Sequence, residues 1–264
     1  MEKRIFVDQM GRSVDVPISP KRIISLVPSQ TELLHYFGLE KEVVGITKFC
    51  IHPDSWFKSK TRIGGTKQLK IDEIIGLKPD LVIGNKEENT EEDIYKLEQN
   101  GLSVWMSDIN SFDEALDMIE QVGLMCGKEE EATKLTTEID RGYNEISQIG
   151  KGRSVLYFIW DEPSFVVGKN TFIDSVIEKI GFVNACNLNR YPDLSELNKE
   201  IPDFVFLSSE PYPFSEQHIA KYQNLFPNAK IKLVDGEMFS WYGSRMVEAV
   251  GYFGDESSFL EILI

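Results

Sequence analysis

The phrase Lys78-Pro79-Asp80-Leu81-Val82-Ile83 returns in the last third of the chain as Ile201-Pro202-Asp203-Phe204-Val205-Phe206. The echo reaches upstream. Residues 22–45 read as strand, capped helix, glycine, strand, and residues 153–185 repeat that order. A chain that runs the same strand–loop–helix order twice is constrained to two lobes built alike, each with a parallel sheet covered by helices. At 264 residues there is room for two domains of about 120 residues each, and a hydrophobic fraction of 42% supplies an ordinary core. The expected fold is α/β: two similar three-layer lobes with mainly parallel sheets, joined by one long helix. The expected divisions are an N-terminal lobe at 1–127, a connecting helix at 128–150 and a C-terminal lobe at 151–264.

Local signals fill in the lobes. Residues 4–7 and 13–16 alternate around Gln9-Met10-Gly11-Arg12, which predicts a hairpin. After the strand at 22–27, Ser29 and Glu32 have the spacing of a capping box, with Leu33, Leu34 and Phe37 as the buried stripe and Gly38 as the stop. Ser111 and Glu114 suggest a second box. Between the lobes, residues 128–147 are polar with Leu135, Ile139 and Ile146 as the apolar positions. A helix of that length spans about 30 Å and, packed on both lobes, permits only modest closure.

Several function classes are excluded or disfavoured. A formal charge of −15 argues against a nucleic-acid backbone as partner. No apolar run reaches the ~18–20 residues of a membrane helix. The start runs directly into folded-looking sequence, so the location reads as cytoplasmic as written, or as periplasmic or cell-envelope if a leader has been removed. Cys50, Cys126 and Cys186 are odd in number and read as free thiols. Gly64-Gly65-Thr66-Lys67 is not a P-loop, and no nucleophile elbow or His-Glu-x-x-His helix is present. No catalytic residue and no intrinsic cofactor is expected.

In parallel sheets, ligands meet the loops beyond the carboxyl ends of the strands. The conspicuous groups fall at such ends: Cys50 and His52, Thr66 and Lys67, Glu87 and Glu88, Trp160, Glu210 and Tyr212, and Trp241, Tyr242 and Arg245. Tyr and Trp offer rigid apolar faces with a polar handle, and Arg forks onto carboxylate or phosphate. A ligand cleft shared by the two lobes accounts for this placement; packing of one lobe on the other is the alternative. Cys50-x-His52 has metal-binding chemistry but too few ligands for a tight site. Asp72 and Glu196 sit at the starts of short helices, where a carboxylate complements the dipole.

With these residues in hand, the chain resembles the substrate-binding proteins of iron-siderophore, haem and vitamin B12 ABC transporters, nearest the cobalamin-binding-like branch. The resemblance rests on Arg22-Ile23-Ile24-Ser25-Leu26-Val27-Pro28-Ser29 with Thr31-Glu32, Val44-Gly45-Ile46-Thr47, Gly64-Gly65-Thr66, Leu77 to Ile83, Tyr191-Pro192-Asp193-Leu194-Ser195, and Pro202-Asp203. It implies a class III periplasmic-binding-protein-like fold that binds cobalamin or cobinamide, haem or a ferric siderophore without transforming it. The partners it implies are that metal chelate and an ABC permease dimer, with the protein itself a monomer. By position, Tyr191 matches an aromatic ligand contact. Asp72 and Glu196 match the two permease-docking carboxylates, although the chain is about two residues short after Ser195. His52 is a candidate axial ligand to the chelated metal. A signal-less cytoplasmic binder or sensor of the same ligands is one alternative; a metal-assisted enzyme using the Cys, His and Glu groups is another.

Overall fold

In the computed structural model, residues 2–197, 201–255 and 259 are described. They divide into two compact units. Unit 1 holds residues 1–109, 114–137 and 242–245, and unit 2 holds 110–113, 138–241 and 246–264.

Unit 1 opens with the expected hairpin, Lys3–Val7 against Ser13–Pro17, paired antiparallel with Phe6 opposite Val14. Alternation buries Phe6, Val14 and Val16 and turns Ile5 and Val7 outward. Its main sheet has five parallel strands in the order Thr61–Arg62, Val43–Ile46, Ile23–Ser25, Leu81–Asn85, Val104–Ser107. The central strands are buried throughout, as a sheet covered on both faces requires, which is why they read as unbroken apolar runs. Ile24, Leu26, Val82, Met106 and the helix residues Ile94 and Leu97 share one core cluster.

Unit 2 repeats the plan. Val183–Asn184, Ser154–Trp160, Phe204–Ser208 and Lys230–Val234 pair parallel in that order, and Phe165–Val166 runs antiparallel beside the end of Ser154–Trp160. Period-two alternation divides Phe204–Ser208 between two cores. Val205 and Leu207 pack with Phe158, Phe214 and Tyr222. Phe204 and Phe206 face an aromatic cluster with Phe182 and Phe239, ring centroids 5.5 to 6.1 Å apart.

The repeated Pro-Asp has a structural role in both units. Asp80 accepts from the backbone amides of Lys21 and Arg22 at 2.8 and 2.9 Å. Asp203 accepts from the amide and hydroxyl of Ser154 at 2.7 and 2.9 Å, bonds that hold its carboxyl below the usual aspartate range. Each carboxylate thus ties the start of the neighbouring strand to its own, and satisfies amides that the sheet leaves open.

Two expected details differ. The helix Pro28–Tyr36 begins at Val27 without a side-chain cap, so Ser29 and Glu32 form no capping box. Glu32 is instead held by Arg245, whose Nε and Nη2 donate to its two oxygens at 2.9 and 2.7 Å. A bidentate charged pair displaces a local cap worth about 1 kcal/mol. The second difference is length: the polar helix is Glu129–Glu145, following the helix Phe112–Cys126, and the division between units falls within it, after Thr137.

Candidate functional site

In each unit the strand order reverses beside the first strand: in unit 1 Val43–Ile46 and Thr61–Arg62 lie to one side of Ile23–Ser25 and Leu81–Asn85 to the other, and in unit 2 Val183–Asn184 lies to one side of Ser154–Trp160 and Phe204–Ser208 to the other. Ligands of open parallel sheets sit at such switch points. In unit 1 the reversal lies between Ile23–Ser25 and Leu81–Asn85; in unit 2 it lies between Ser154–Trp160 and Phe204–Ser208.

The unit 1 switch point is built on a buried amide network. Gln30 Nε2 donates to the Gly84 carbonyl at 3.2 Å and to Ser107 Oγ at 2.7 Å. Asn85 Oδ1 accepts from the amides of Glu87 and Glu88 at 2.8 and 3.1 Å. Asn89 closes the loop, accepting from the Asn85 amide at 2.9 Å and donating to the Thr66 carbonyl at 3.0 Å. Thr66 is itself buried, and Lys67 Nζ donates to the Glu87 carbonyl. The sequence thus places Thr66, Lys67, Glu87 and Glu88 in one connected loop pair. Burial pushes the Glu88 carboxyl up, with Lys67 partly opposing.

The loop after Val43–Ile46 turns the other way from the expectation. Cys50 is fully buried, its Sγ 3.1 Å from both Thr31 Oγ1 and Thr47 Oγ1, and burial raises its pKa against those bonds. A thiol kept protonated in the interior is a packing group. Its neighbours Phe49 and Ile51 are the outward ones, 50% and 47% exposed, with Lys48 Nζ 5.0 Å from the Phe49 ring centroid. His52 is half-buried in the same loop. Among the described residues no group of three or more His, Cys, Asp or Glu is placed to hold a metal ion.

At the unit 2 switch point, Trp160 ends its strand 40% exposed and meets Tyr212 edge-on, centroids 5.6 Å apart. Tyr212 packs in turn on Phe214 at 4.8 Å and on His218 at 5.5 Å. In the loop after Phe204–Ser208, Glu210 Oε1 accepts from Ser240 Oγ at 2.5 Å and from Trp241 Nε1 at 2.9 Å, groups at the end of the helix Gly236–Ser240 that follows Lys230–Val234. Burial raises the Glu210 carboxyl; Glu237 and Asp235 add to the rise, while the Ser240 and Trp241 bonds oppose it. Gly236 is required here, because a Cβ would stand 2.3 Å from Ser208 Oγ and 2.6 Å from Glu210 Cγ. Trp160 thus meets Tyr212, and Trp241 meets Glu210, two residues before Tyr212 in the same loop. Tyr191 is half-buried, with the Arg190 guanidinium 5.5 Å from its ring centroid.

Tyr242 and Arg245 belong to unit 1, although the sequence places them within the C-terminal lobe. Both are buried, and Arg245 is committed to Glu32. Asp72 lies exposed in the first turn of Ile71–Gly76. Glu196 Oε1 accepts from the Asp193 amide at 2.9 Å, in a capping box on the short 3₁₀ turn Leu194–Glu196. Phe49, Ile51, His218 and the Gln30–Asn85–Ser107 network were not singled out from sequence.

Comparison with known proteins agrees with this architecture. A family model described as "Periplasmic binding protein" matches residues 23–225. The uncharacterized ABC transporter substrate-binding lipoprotein YvrC of Bacillus subtilis is 29% identical over 188 residues, 67% of this chain and 59% of that protein. The vitamin B12-binding protein of Vibrio cholerae is 25% identical over 199 residues, 73% of this chain and 72% of that one. Among solved structures, the periplasmic vitamin B12 binding protein BtuF of Vibrio cholerae superposes with a TM-score of 0.74 at 21% identity, covering 90% of this chain and 96% of that one. The petrobactin-binding protein YclQ of Bacillus subtilis gives 0.77 at 17% identity, covering 95% and 98%. Names citing B12 and a siderophore stand side by side, so the likeness is to the class and not to a cobalamin branch. With the two repeated sheets and a match over most of its length, this chain belongs to the periplasmic binding protein family, a family of non-catalytic substrate-binding proteins.

Proposed function

We propose that this protein binds a metal chelate for ABC-transporter uptake, with a corrinoid of the vitamin B12 type as the first ligand to test. The observation that carries the reading is the exposed Trp160 set edge-on against half-buried Tyr212 at a topological switch point of a family member. Large flat or apolar ligands are held by aromatic faces with a few placed polar groups, and the loop provides both. Unit 1 offers the corresponding material in Phe49, Ile51, Lys67, Glu87 and Glu88, with His52 as a candidate axial ligand to a chelated metal. The corrinoid is favoured because curated relatives over 73% of the chain carry that name, while haem and ferric siderophores remain in the panel because solved structures of the same fold bear those names.

The cellular setting follows from the same relatives. A lipoprotein is among the relatives and several periplasmic proteins share the fold, which supports a place outside the cytoplasmic membrane and an ABC permease as partner. Asp72 is the docking carboxylate of unit 1 in this reading and Glu196 that of unit 2. The test is titration of the purified protein with cobinamide, cobalamin, haem and ferric siderophores, followed by absorbance and tryptophan fluorescence. Saturable binding without turnover, weakened in Trp160→Ala, is expected; silence from the whole panel overturns the reading.

A further inference from the structure

The loop that follows Phe204–Ser208 presents two polar side chains, and in each the bonding is half committed. Glu210 takes both of its hydrogen bonds, from Ser240 Oγ and Trp241 Nε1, through Oε1. Those bonds fix the carboxylate plane and leave Oε2 as an acceptor. Tyr212 Oη lies 3.1 Å from His218 Nε2. Which of the two donates is settled on the other side of the imidazole. The Ser215 amide N–H points at His218 Nδ1 at 3.0 Å, so Nδ1 must accept. The opposite tautomer would aim Nδ1–H at the Ser215 carbonyl or hydroxyl oxygen, each at 3.2 Å, the carbonyl already taken by the His218 amide at 2.9 Å, and in either case would orphan the Ser215 N–H. Nε2 therefore carries the proton and donates to Tyr212, and the Tyr212 hydroxyl hydrogen is left to donate elsewhere.

The loop thus offers a donor and an acceptor, and Trp160, at the end of the neighbouring strand, adds an exposed apolar face. We propose that residues Glu210 and Tyr212 read a carboxamide on the rim of the ligand, Tyr212 donating to its carbonyl oxygen and Glu210 Oε2 accepting from its N–H, with His218 as the positioning residue that keeps Tyr212 a donor. A carboxylate rim would use Tyr212 but meet repulsion from Glu210. An ammonium rim would use Glu210 and leave the Tyr212 proton unused. Of these three the amide alone uses both, and a site built for a polar group discriminates strongly against an analogue that leaves its groups unpaired. The inference rests on the metal-chelate reading above and narrows it to amide-rimmed chelates.

Two measurements test it. The first needs no ligand: nitrogen-15 NMR of the histidine side chains, with His218 assigned by its loss in His218→Gln. A protonated Nε2 and an unprotonated Nδ1 are expected, and the reverse tautomer overturns the donor assignment. The second compares dicyanocobinamide with its cobyrinic-acid counterpart, in which ring amides are carboxylates. The wild type should prefer the amide form by about tenfold, the worth of one charge-assisted hydrogen bond. Glu210→Gln should narrow that preference by recovering the carboxylate form, and Tyr212→Phe should weaken both forms. Equal affinity for the two corrinoids overturns the carboxamide proposal and leaves the chelate reading standing. Binding of haem or a siderophore, with neither corrinoid bound, does the same. If no member of the panel binds, both fall.

Discussion

Replacing Arg245 with methionine removes one side of a fork that lies inside unit 1. The two side chains are 8% and 17% exposed, and two hydrogen bonds of 2.9 and 2.7 Å join them. Removing Arg245 leaves the Glu32 carboxylate largely desolvated with its charge uncompensated, which costs about 3–5 kcal/mol. Glu32→Met leaves the guanidinium in the same position, with a similar cost. At roughly 2–4 °C per kcal/mol for a domain of this size class, the lower figure lowers Tm by about 6–12 °C. The double variant, two unbranched apolar side chains in the space of the pair, should recover most of the loss, because an ion pair buried in protein is worth little over apolar packing. Urea unfolding of the four proteins, followed by tryptophan fluorescence and by circular dichroism, gives the cycle. Single losses below about 1 kcal/mol, or a double loss equal to the sum of the singles, would show that the fork is neither buried nor coupled as described.

Other outcomes follow from the same geometry. The hydroxyl of Tyr143 is buried without a hydrogen-bond partner among the described residues, beside Phe112 and Phe253, so Tyr143→Phe should stabilise the protein by about 1 kcal/mol in urea melts; a loss of that size would reveal a partner for the hydroxyl. Burial holds the folded-state pKa of Glu210 above its unfolded value, so the unfolded chain loses the proton first and stability falls as pH rises through that window. Glu210→Gln should therefore raise Tm at neutral pH and leave it unchanged below the ordinary glutamate value of 4.5, and equal shifts at both pH values would refute the linkage. Cys50, Cys126 and Cys186 are all buried, with burial pushing Cys126 up to about 12, so a thiol reagent such as Ellman's should react only at the rate of unfolding. Prompt modification of a thiol in the native protein would contradict its burial.

What the sequence made legible was whatever depends on neighbours in the chain. The repeated Pro-Asp-hydrophobic phrase marks matching strands in the two sheets, and its aspartate serves the same purpose in both. Strand–loop–helix periodicity places Trp160 at a strand end and Glu210 and Tyr212 in the loop after one, while Trp241 caps the helix Gly236–Ser240, which the sequence reading did not separate from the preceding strand. Ser29 and Glu32 misled because a capping box is a local pattern, while the partner that holds Glu32 stands near the other end of the chain. Arg245 and Tyr242 were placed in the wrong unit for the same reason: chain order does not say where a returning segment packs. At Cys50 the loop was located correctly and its facing was not. The Cys50 amide closes a turn onto the Thr47 carbonyl at 3.2 Å, and that turn leaves Cys50 inside with Phe49 and Ile51 outside. His218 was invisible as a positioning residue because its role needs the contacts of both ring nitrogens.

The central claim is that this member of the periplasmic binding protein family takes a metal chelate on the strand-end loops that carry Trp160 and Tyr212. The most direct measurement is a calorimetric titration of the purified protein with dicyanocobinamide, haem and a ferric siderophore, repeated with Trp160→Ala. The account predicts saturable one-to-one binding of at least one chelate, with the ligand recovered unchanged and the affinity weakened by the substitution. No heat with any chelate, or binding that Trp160→Ala leaves untouched, would contradict it.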